Sequence, residues 1–353
     1  INRCAEMRLQ MKRLLNTLYI SNPDYYLAID GENVVVKLYE DEVGRVPLHN
    51  IDSIVTFGYT GVSPKLMGHC IDKSIAITFL SYSGKFLATV CGELKGNVTL
   101  RREQYRLSDN SIQSLNIAKN MIVGKLYNSK WVLERAIRDY PLRLDADKLK
   151  VKSMLLSDSI QKARDTDDMN QLRGIEGEAA SIYFSVFDEM ILQQKENFIF
   201  DNRNRRPPMD NVNALLSFSY TLLMSMCKSA LETVGLDAYV GFMHTDRPGR
   251  ASLALDIMEE LRAVMADRFV LTVINKRIVS ANGFYTKENG AVIMDDDTRN
   301  EVISAWQSRK QDQIKHPFLN EKIEWGMVPY VQSLLLARYI RGDLDQYPPF
   351  LWK

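Results

Sequence analysis

Near Leu100 the hydrophobic period of this chain changes, and a single layer of secondary structure cannot satisfy both halves. Ahead of that point, short β-prone runs are separated by turn residues. They are Asn16 to Ile20, Tyr26 to Asp30, Val34 to Tyr39, Arg45 to Leu48, Ser53 to Phe57, Ser74 to Leu80 and Lys85 to Val90, with turns at Gly31-Glu32-Asn33 and Ser81-Tyr82-Ser83-Gly84. One helical start interrupts them, with Ser63 as cap and Pro64 at the first helical position, in a stretch running to Lys73. From about Arg101 the spacing is helical: Ile112, Leu115, Ala118, Met121, Ile122 and Leu126 recur on one stripe, extended by Trp131, Leu133 and Ile137. Thr166-Asp167-Asp168 predicts a helix start, and Asp210 or Asn211 caps an apolar helix through Leu231. A small hairpin is expected from Phe284 to Lys287 and Ala291 to Met294, whereas the tail Tyr347-Pro348-Pro349-Phe350 cannot be helical. The expected fold class is α+β. A small β-sandwich-like or split-sheet domain spans residues 11–100, and a larger all-α domain spans 101–353. Met11 reads as a natural start, so residues 1–10 are expected to be a foreign extension and are left out.

The 353 residues, 46% hydrophobic and 25% charged, suit one large soluble domain or two ordinary ones. No run reaches the ~20 apolar residues of a membrane helix and no secretory signal is visible, so no membrane is expected. A net charge of +1 excludes a polycation, so any nucleic-acid binding must rest on local charge. Cys4, Cys70, Cys91 and Cys227 form no CxxC pair, which argues against a zinc ribbon and suits a reducing cytoplasm.

The residues that carry chemistry lie in two distant segments of the helical half. Glu176 sits in Gly174-Ile175-Glu176-Gly177, with Ala180, Tyr183 and Phe187 at helical spacing on its side. A carboxylate on a partly buried face needs a partner, either a metal or an arginine. Two glycines cost ~1 kcal/mol each inside a helix, so they predict close approach by another helix or a ligand. His244 ends the apolar stretch Tyr239 to Met243 and precedes the turn-rich Thr245 to Arg250, a lip where functional side chains are often placed. Asp256 and Glu259 are three apart and share a helical face, opposite Leu253, Ile257, Leu261 and Val264. Glu260 and Asp267 read as an ordinary solvated acidic face, and Arg262 can pair with either carboxylate. Each of these residues alone is better explained by a structural role. Together they form an oxygen- and nitrogen-rich set that could hold Mg²⁺ or Mn²⁺ and support phosphodiester chemistry. Arg247 and Arg250 flank His244 and are the best candidates for phosphate. Arg101, Arg102, Arg203, Arg205 and Arg206 are less specific, with solvated loops as the ordinary alternative.

Four segments in order carry a resemblance: Gly174 to Gly177, Arg205-Arg206-Pro207-Pro208-Met209-Asp210 through Ser217, Gly241-Phe242-Met243-His244, and Ser252 through Arg262. The chain resembles the CRISPR-associated integrase of spacer acquisition from Met11 onward. Arg101-Arg102-Glu103-Gln104-Tyr105 and the closing Gly342 to Phe350 resemble its type I-C branch. The resemblance implies Glu176, His244 and Glu259 as metal ligands and Asp256 as a catalytic or supporting acid. Many members have aspartate where Glu259 stands, so the charge is kept and the reach extended. It implies a homodimer through the N-terminal region. It also implies a heterohexamer, two such dimers around a dimer of a small ferredoxin-like partner. Double-stranded DNA would be the substrate, as spacer precursor and CRISPR repeat. The implied reaction is attack of a 3′-hydroxyl on a phosphodiester at the repeat boundary. A stand-alone metal-dependent nuclease on branched DNA would use the same residues, and a non-catalytic DNA-binding scaffold would use none of them for chemistry.

Overall fold

The computed structural model describes residues 17–20, 22–51, 53–58, 60–73, 75–81, 86–90, 98–204 and 206–353. The chain divides into two compact units, Ile1–Glu93 with Arg309–Asp312 and Glu324–Met327, and Leu94–Ser308 with Gln313–Ile323 and Val328–Lys353.

The first unit holds two four-stranded sheets. One has the order β4 (Asp41–Pro47), β3 (Asn33–Leu38), β2 (Tyr25–Asp30), β6 (Gly61–Val62). The other runs β1 (Thr17–Ile20), β5 (Ser53–Phe57), β7 (Ala76–Leu80), β8 (Phe86–Val90). A tight turn joins β2 to β3, pairing Asp30 with Asn33, and Gly31 supplies the positive φ of 56° that the turn requires. Ser63 caps helix α1 (Pro64–Asp72), its hydroxyl accepting from Leu66 N. Leu27, Val34 and Val36 of one sheet, Ile54 and Ile77 of the other, and Leu66 and Cys70 of α1 close a single core. The strands fall where alternation predicts them, but the pairing is not a chain of hairpins. β1–β5 and β5–β7 are parallel, and β6 with α1 makes the crossover from β5 to β7.

The second unit is helical: α2 (Val98–Asp109), α3 (Ser111–Asp139), α4 (Ala146–Asp165), α5 (Met169–Phe184), α6 (Asn211–Val234), α7 (Ser252–Leu261), α8 (Arg268–Asn275), α9 (Asp296–Gln311, whose last turn belongs to the first unit) and α10 (Val328–Ile340). Side-chain caps start several of them: Asn110 on α3, Asp145 on α4, Asp168 on α5 and Asp210 on α6. A π-helical stretch, Arg262–Asp267, joins α7 to α8, a deformation that recurs at functional sites. The unit is not purely helical. The expected hairpin forms as β9 (Phe284–Thr286) with β10 (Val292–Met294), and β11 (Gln313–Lys315) pairs with β12 (Lys322–Glu324), which three-residue strands are too short to announce in sequence.

By length and composition α6 could cross a membrane, contrary to the reading that no run approaches that length. Its position explains its hydropathy: α6 packs against α7 and α10, with Leu215, Leu216, Leu222 and Leu231 buried, as a core helix must.

Candidate active site

Helix α3 packs against both α5 and α7, and the site forms where the three meet. Leu172, Ile175, Ala179 and Tyr183 bury one stripe of α5, and Glu176 stands at the edge of that stripe. Asp256 and Glu259 lie on one face of α7, at 0% and 3% exposure, so neither can be left uncompensated.

Asp256 is compensated by the chain just ahead of its own helix. One oxygen accepts from Phe242 N (2.7 Å) and Met243 N (3.0 Å). The other accepts from His244 N (3.1 Å) and from His244 Nδ1 (2.6 Å). A carboxylate that only accepts fixes a proton on Nδ1; in the neutral imidazole the lone pair then sits on Nε2, on the side where Glu259 Oε1 lies 4.0 Å away. Wrapping the backbone this tightly demands Gly241, because a Cβ there would meet Asp256 Oδ2 at 2.8 Å and Ser252 Cβ at 2.9 Å. The wrapped segment is latched by groups the sequence reading did not single out. Gln104 Nε2 donates to Val240 O (2.9 Å), Ser108 Oγ to Gly241 O (2.9 Å), Ser114 Oγ to Phe242 O (2.8 Å) and Arg173 to Met243 O (2.6 Å).

Glu259 is compensated by cations. Arg262, one turn on, pairs with its Oε1 at 2.9 Å. Lys125 of α3 was also missed by the sequence reading. It reaches between the two acidic helices, in contact with Glu176 Oε1 and 2.7 Å from Glu259 Oε2. Oε2 is buried, and the Lys125 ammonium is the cation beside it. Burial pushes the Glu259 carboxyl up, but the charges of Arg262 and Lys125 outweigh it and hold it at about 2.

A family model described as CRISPR associated protein Cas1 matches residues 18–308. The chain belongs to this family. CRISPR-associated endonuclease Cas1 1 of Chlorobaculum tepidum is 48% identical over 343 residues, which are 97% of this chain and 100% of that protein. Among solved structures, a casposase bound to integration product superposes with a TM-score of 0.82 at 24% identity, over 95% of this chain and 93% of that one. A chain of a Cas6-RT-Cas1–Cas2 complex superposes with a TM-score of 0.81 at 20% identity, over 98% of this chain and 37% of that one. Both share the Cas1 fold.

DNA endonuclease and integrase chemistry of this kind generally calls for a divalent metal. No three His, Cys, Asp or Glu side chains among the described residues are gathered closely enough to hold one. The ammonium of Lys125 touches both Glu176 and Glu259. The donor set fits a hard divalent ion: two carboxylates facing a common cation, and an imidazole whose Nδ1 is held by Asp256. Asp256 does not belong to that set, since both its oxygens are consumed in holding His244 and its flanking backbone.

Several expectations for neighbouring residues do not hold. Gly174 and Gly177 face open space, so no other helix approaches them closely, which leaves a ligand as the remaining reading of the pair. Glu260 and Asp267 are not a solvated face but are fully buried. Glu260 accepts from Tyr347 Oη, from Gln332 Nε2 (3.1 Å) and from Phe350 N (2.8 Å), and burial pushes its carboxyl up to about 7. Asp267 accepts from Tyr220 Oη (2.6 Å), and burial pushes it up to about 6. Arg203 is committed internally, donating to Asn213 Oδ1 (2.6 Å) and Ser217 Oγ (3.1 Å) and lying over the Tyr220 ring. Arg101 donates to Gly235 O (3.2 Å), the carbonyl of the α6 C-cap. Arg102, Arg206 and Arg247 are exposed and Arg250 is half-buried, so these four keep the freedom a phosphate contact needs. Arg205 lies outside the described residues.

Proposed function

We propose that this protein is the metal-dependent DNA integrase of CRISPR adaptation and that Glu176, His244 and Glu259 hold its metal, Mg²⁺ or Mn²⁺. The observation that carries the reading is the convergence of Glu176 and Glu259 on one cation beside the free Nε2 of a histidine that Asp256 clamps. In the reaction the oxygen of a spacer 3′-hydroxyl forms a bond to phosphorus at the repeat boundary. The bond from that phosphorus to the 3′-oxygen of the adjoining repeat nucleotide breaks, the attacking hydroxyl loses its proton and the leaving oxygen gains one. When bound, the metal supplies the charge that acidifies the hydroxyl and draws electrons from the phosphate. Asp256 orients His244, Arg262 holds Glu259 ionised, and Arg247 and Arg250 offset charge that builds on the phosphate. Water in place of the hydroxyl gives cleavage instead of joining.

The same proposal assigns dimerisation to residues 11–100 and catalysis to 101–353, in the cytoplasm. Two dimers assemble around a dimer of a small ferredoxin-like partner, a reading supported by the Cas1–Cas2 complex that shares the fold. One observation favours the scaffold alternative: Lys125 and Arg262 already neutralise Glu176 and Glu259. The deciding assay mixes labelled duplex DNA bearing free 3′-hydroxyls, a supercoiled plasmid with a CRISPR repeat, and the protein with and without its partner, in Mg²⁺, Mn²⁺ or EDTA. Metal-dependent joining that Glu176→Ala abolishes is the expected result. Cleavage without joining turns the reading to the nuclease. DNA binding with no bond changed under any metal, or full joining by Glu176→Ala, refutes the proposed site.

A further inference from the structure

Lys125 is the odd residue of the site. It lies on α3, among Met121, Ile122 and Leu126, and is itself 8% exposed. A lysine so placed is rare without a purpose, because burial of an ammonium is costly unless it is paired. It is paired twice, with the two carboxylates assigned to the metal. Those two carboxylates come from separate helices, α5 and α7, with Glu259 buried and Glu176 half-buried. With no cation between them their like charges would repel and push the helices apart.

We propose that Lys125 is a built-in stand-in for the metal: its ammonium keeps Glu176 and Glu259 converged in the metal-free protein, and it must leave that position for the metal to enter. This inference rests on the metal assignment of the preceding section. An ammonium touching Glu176 Oε1 and Glu259 Oε2 and a divalent ion coordinated through those same oxygens cannot share one point. Lys125 therefore preorganises the ligands and at the same time lowers their affinity for metal. It is a positioning residue, with no part assigned to it in bond making.

The consequence is a definite sign. Replacing Lys125 by methionine, which keeps the stem and removes the charge, takes away the competitor. The metal-free protein loses stability while its metal affinity rises. The test is calorimetric titration of Mn²⁺ into the full-length chain, metal-stripped, at constant pH, for wild type, Lys125→Met and Glu176→Ala. Lys125→Met is expected to bind Mn²⁺ about tenfold more tightly than wild type, a factor that corresponds to about 1.4 kcal/mol. Mn²⁺ should also raise its melting temperature more than it raises that of wild type. Equal or weaker binding by Lys125→Met, with Glu176→Ala weakened, overturns the inference and leaves the metal assignment standing. Unchanged binding by Glu176→Ala overturns the metal assignment and the inference with it. If Lys125→Met does not fold, crystals of the wild type in EDTA and in Mn²⁺ decide the matter. Nζ clear of both carboxylates in the Mn²⁺ form supports the stand-in, and Nζ still in contact with both beside a bound Mn²⁺ refutes it.

Discussion

Asp256→Asn is the sharpest probe of how this site is built. The wild-type carboxylate takes four donors, two on each oxygen. An asparagine side chain keeps one acceptor oxygen and turns the other into a donor. If the amide oxygen stays with Phe242 N and Met243 N, the NH₂ group faces His244 N and Nδ1. The backbone donor of His244 then loses its partner, and the imidazole must shift its proton to Nε2 so that Nδ1 can accept. Hydrogen bonds to a charged acceptor contribute about 1.5–3 kcal/mol each, so the loss of stability is about 2–3 kcal/mol after the tautomer adjusts. With its lone pair turned inward, His244 can no longer present Nε2 to a metal, and strand transfer falls by a factor of about 10–100. Asp256→Ala removes all four bonds and costs more, about 4 kcal/mol. Urea unfolding, Mn²⁺ titration and the strand-transfer assay together read the outcome. Wild-type stability with wild-type activity in Asp256→Asn would refute the clamp. Loss of Mn²⁺ binding as complete as that of Glu259→Ala, with stability unchanged, would make Asp256 itself a ligand.

Asp267 gives a pH signature. Burial raises its folded pKa to about 6, above the unfolded value near 3.9, so the folded protein binds the extra proton. Its stabilising contribution is complete below about pH 4 and is lost as pH rises through 6. The unfolding free energy of wild type minus that of Asp267→Asn should therefore fall by about 2 kcal/mol between pH 4 and pH 7, and a flat difference would contradict the burial argument. His316 has the opposite sign. Burial holds its pKa down at about 4, so its stabilising contribution is full above pH 6.5 and is lost as pH falls toward 4, a loss of stability that His316→Gln should not show in urea melts. The arginines separate by assay: Arg247→Ala should weaken DNA binding and reduce its salt slope by about one, whereas Arg203→Ala should lower the melting temperature and leave the affinity of the folded protein unchanged. Gly241→Ala should destabilise the protein by about 2 kcal/mol and reduce Mn²⁺ affinity, because the added Cβ strikes the Asp256 carboxylate.

Signals that span a single turn were legible before any coordinates. Ser63 with Pro64, Asp168 and Asp210 announced their helices because a cap is a contact between residues two or three apart. Asp256 and Glu259 share a face because helical geometry alone puts them there. What the sequence could not disclose is who meets them. Asp256 and Glu259 looked alike, yet one holds four donors of the preceding segment while the other faces two cations. Glu260, one residue on, is turned by the helix toward the buried tail, where Tyr347, Gln332 and Phe350 satisfy it. The parallel pairs β1–β5 and β5–β7 were hidden for the same reason, since alternation marks a strand without marking its neighbour. The sequence by itself determined where the longer strands and the capped helices lie and which acids and histidine could do chemistry, because those properties reside in local spacing. Only the tertiary structure decided that Lys125 stands between Glu176 and Glu259, because that meeting depends on how α3, α5 and α7 pack, across 51 residues on one side.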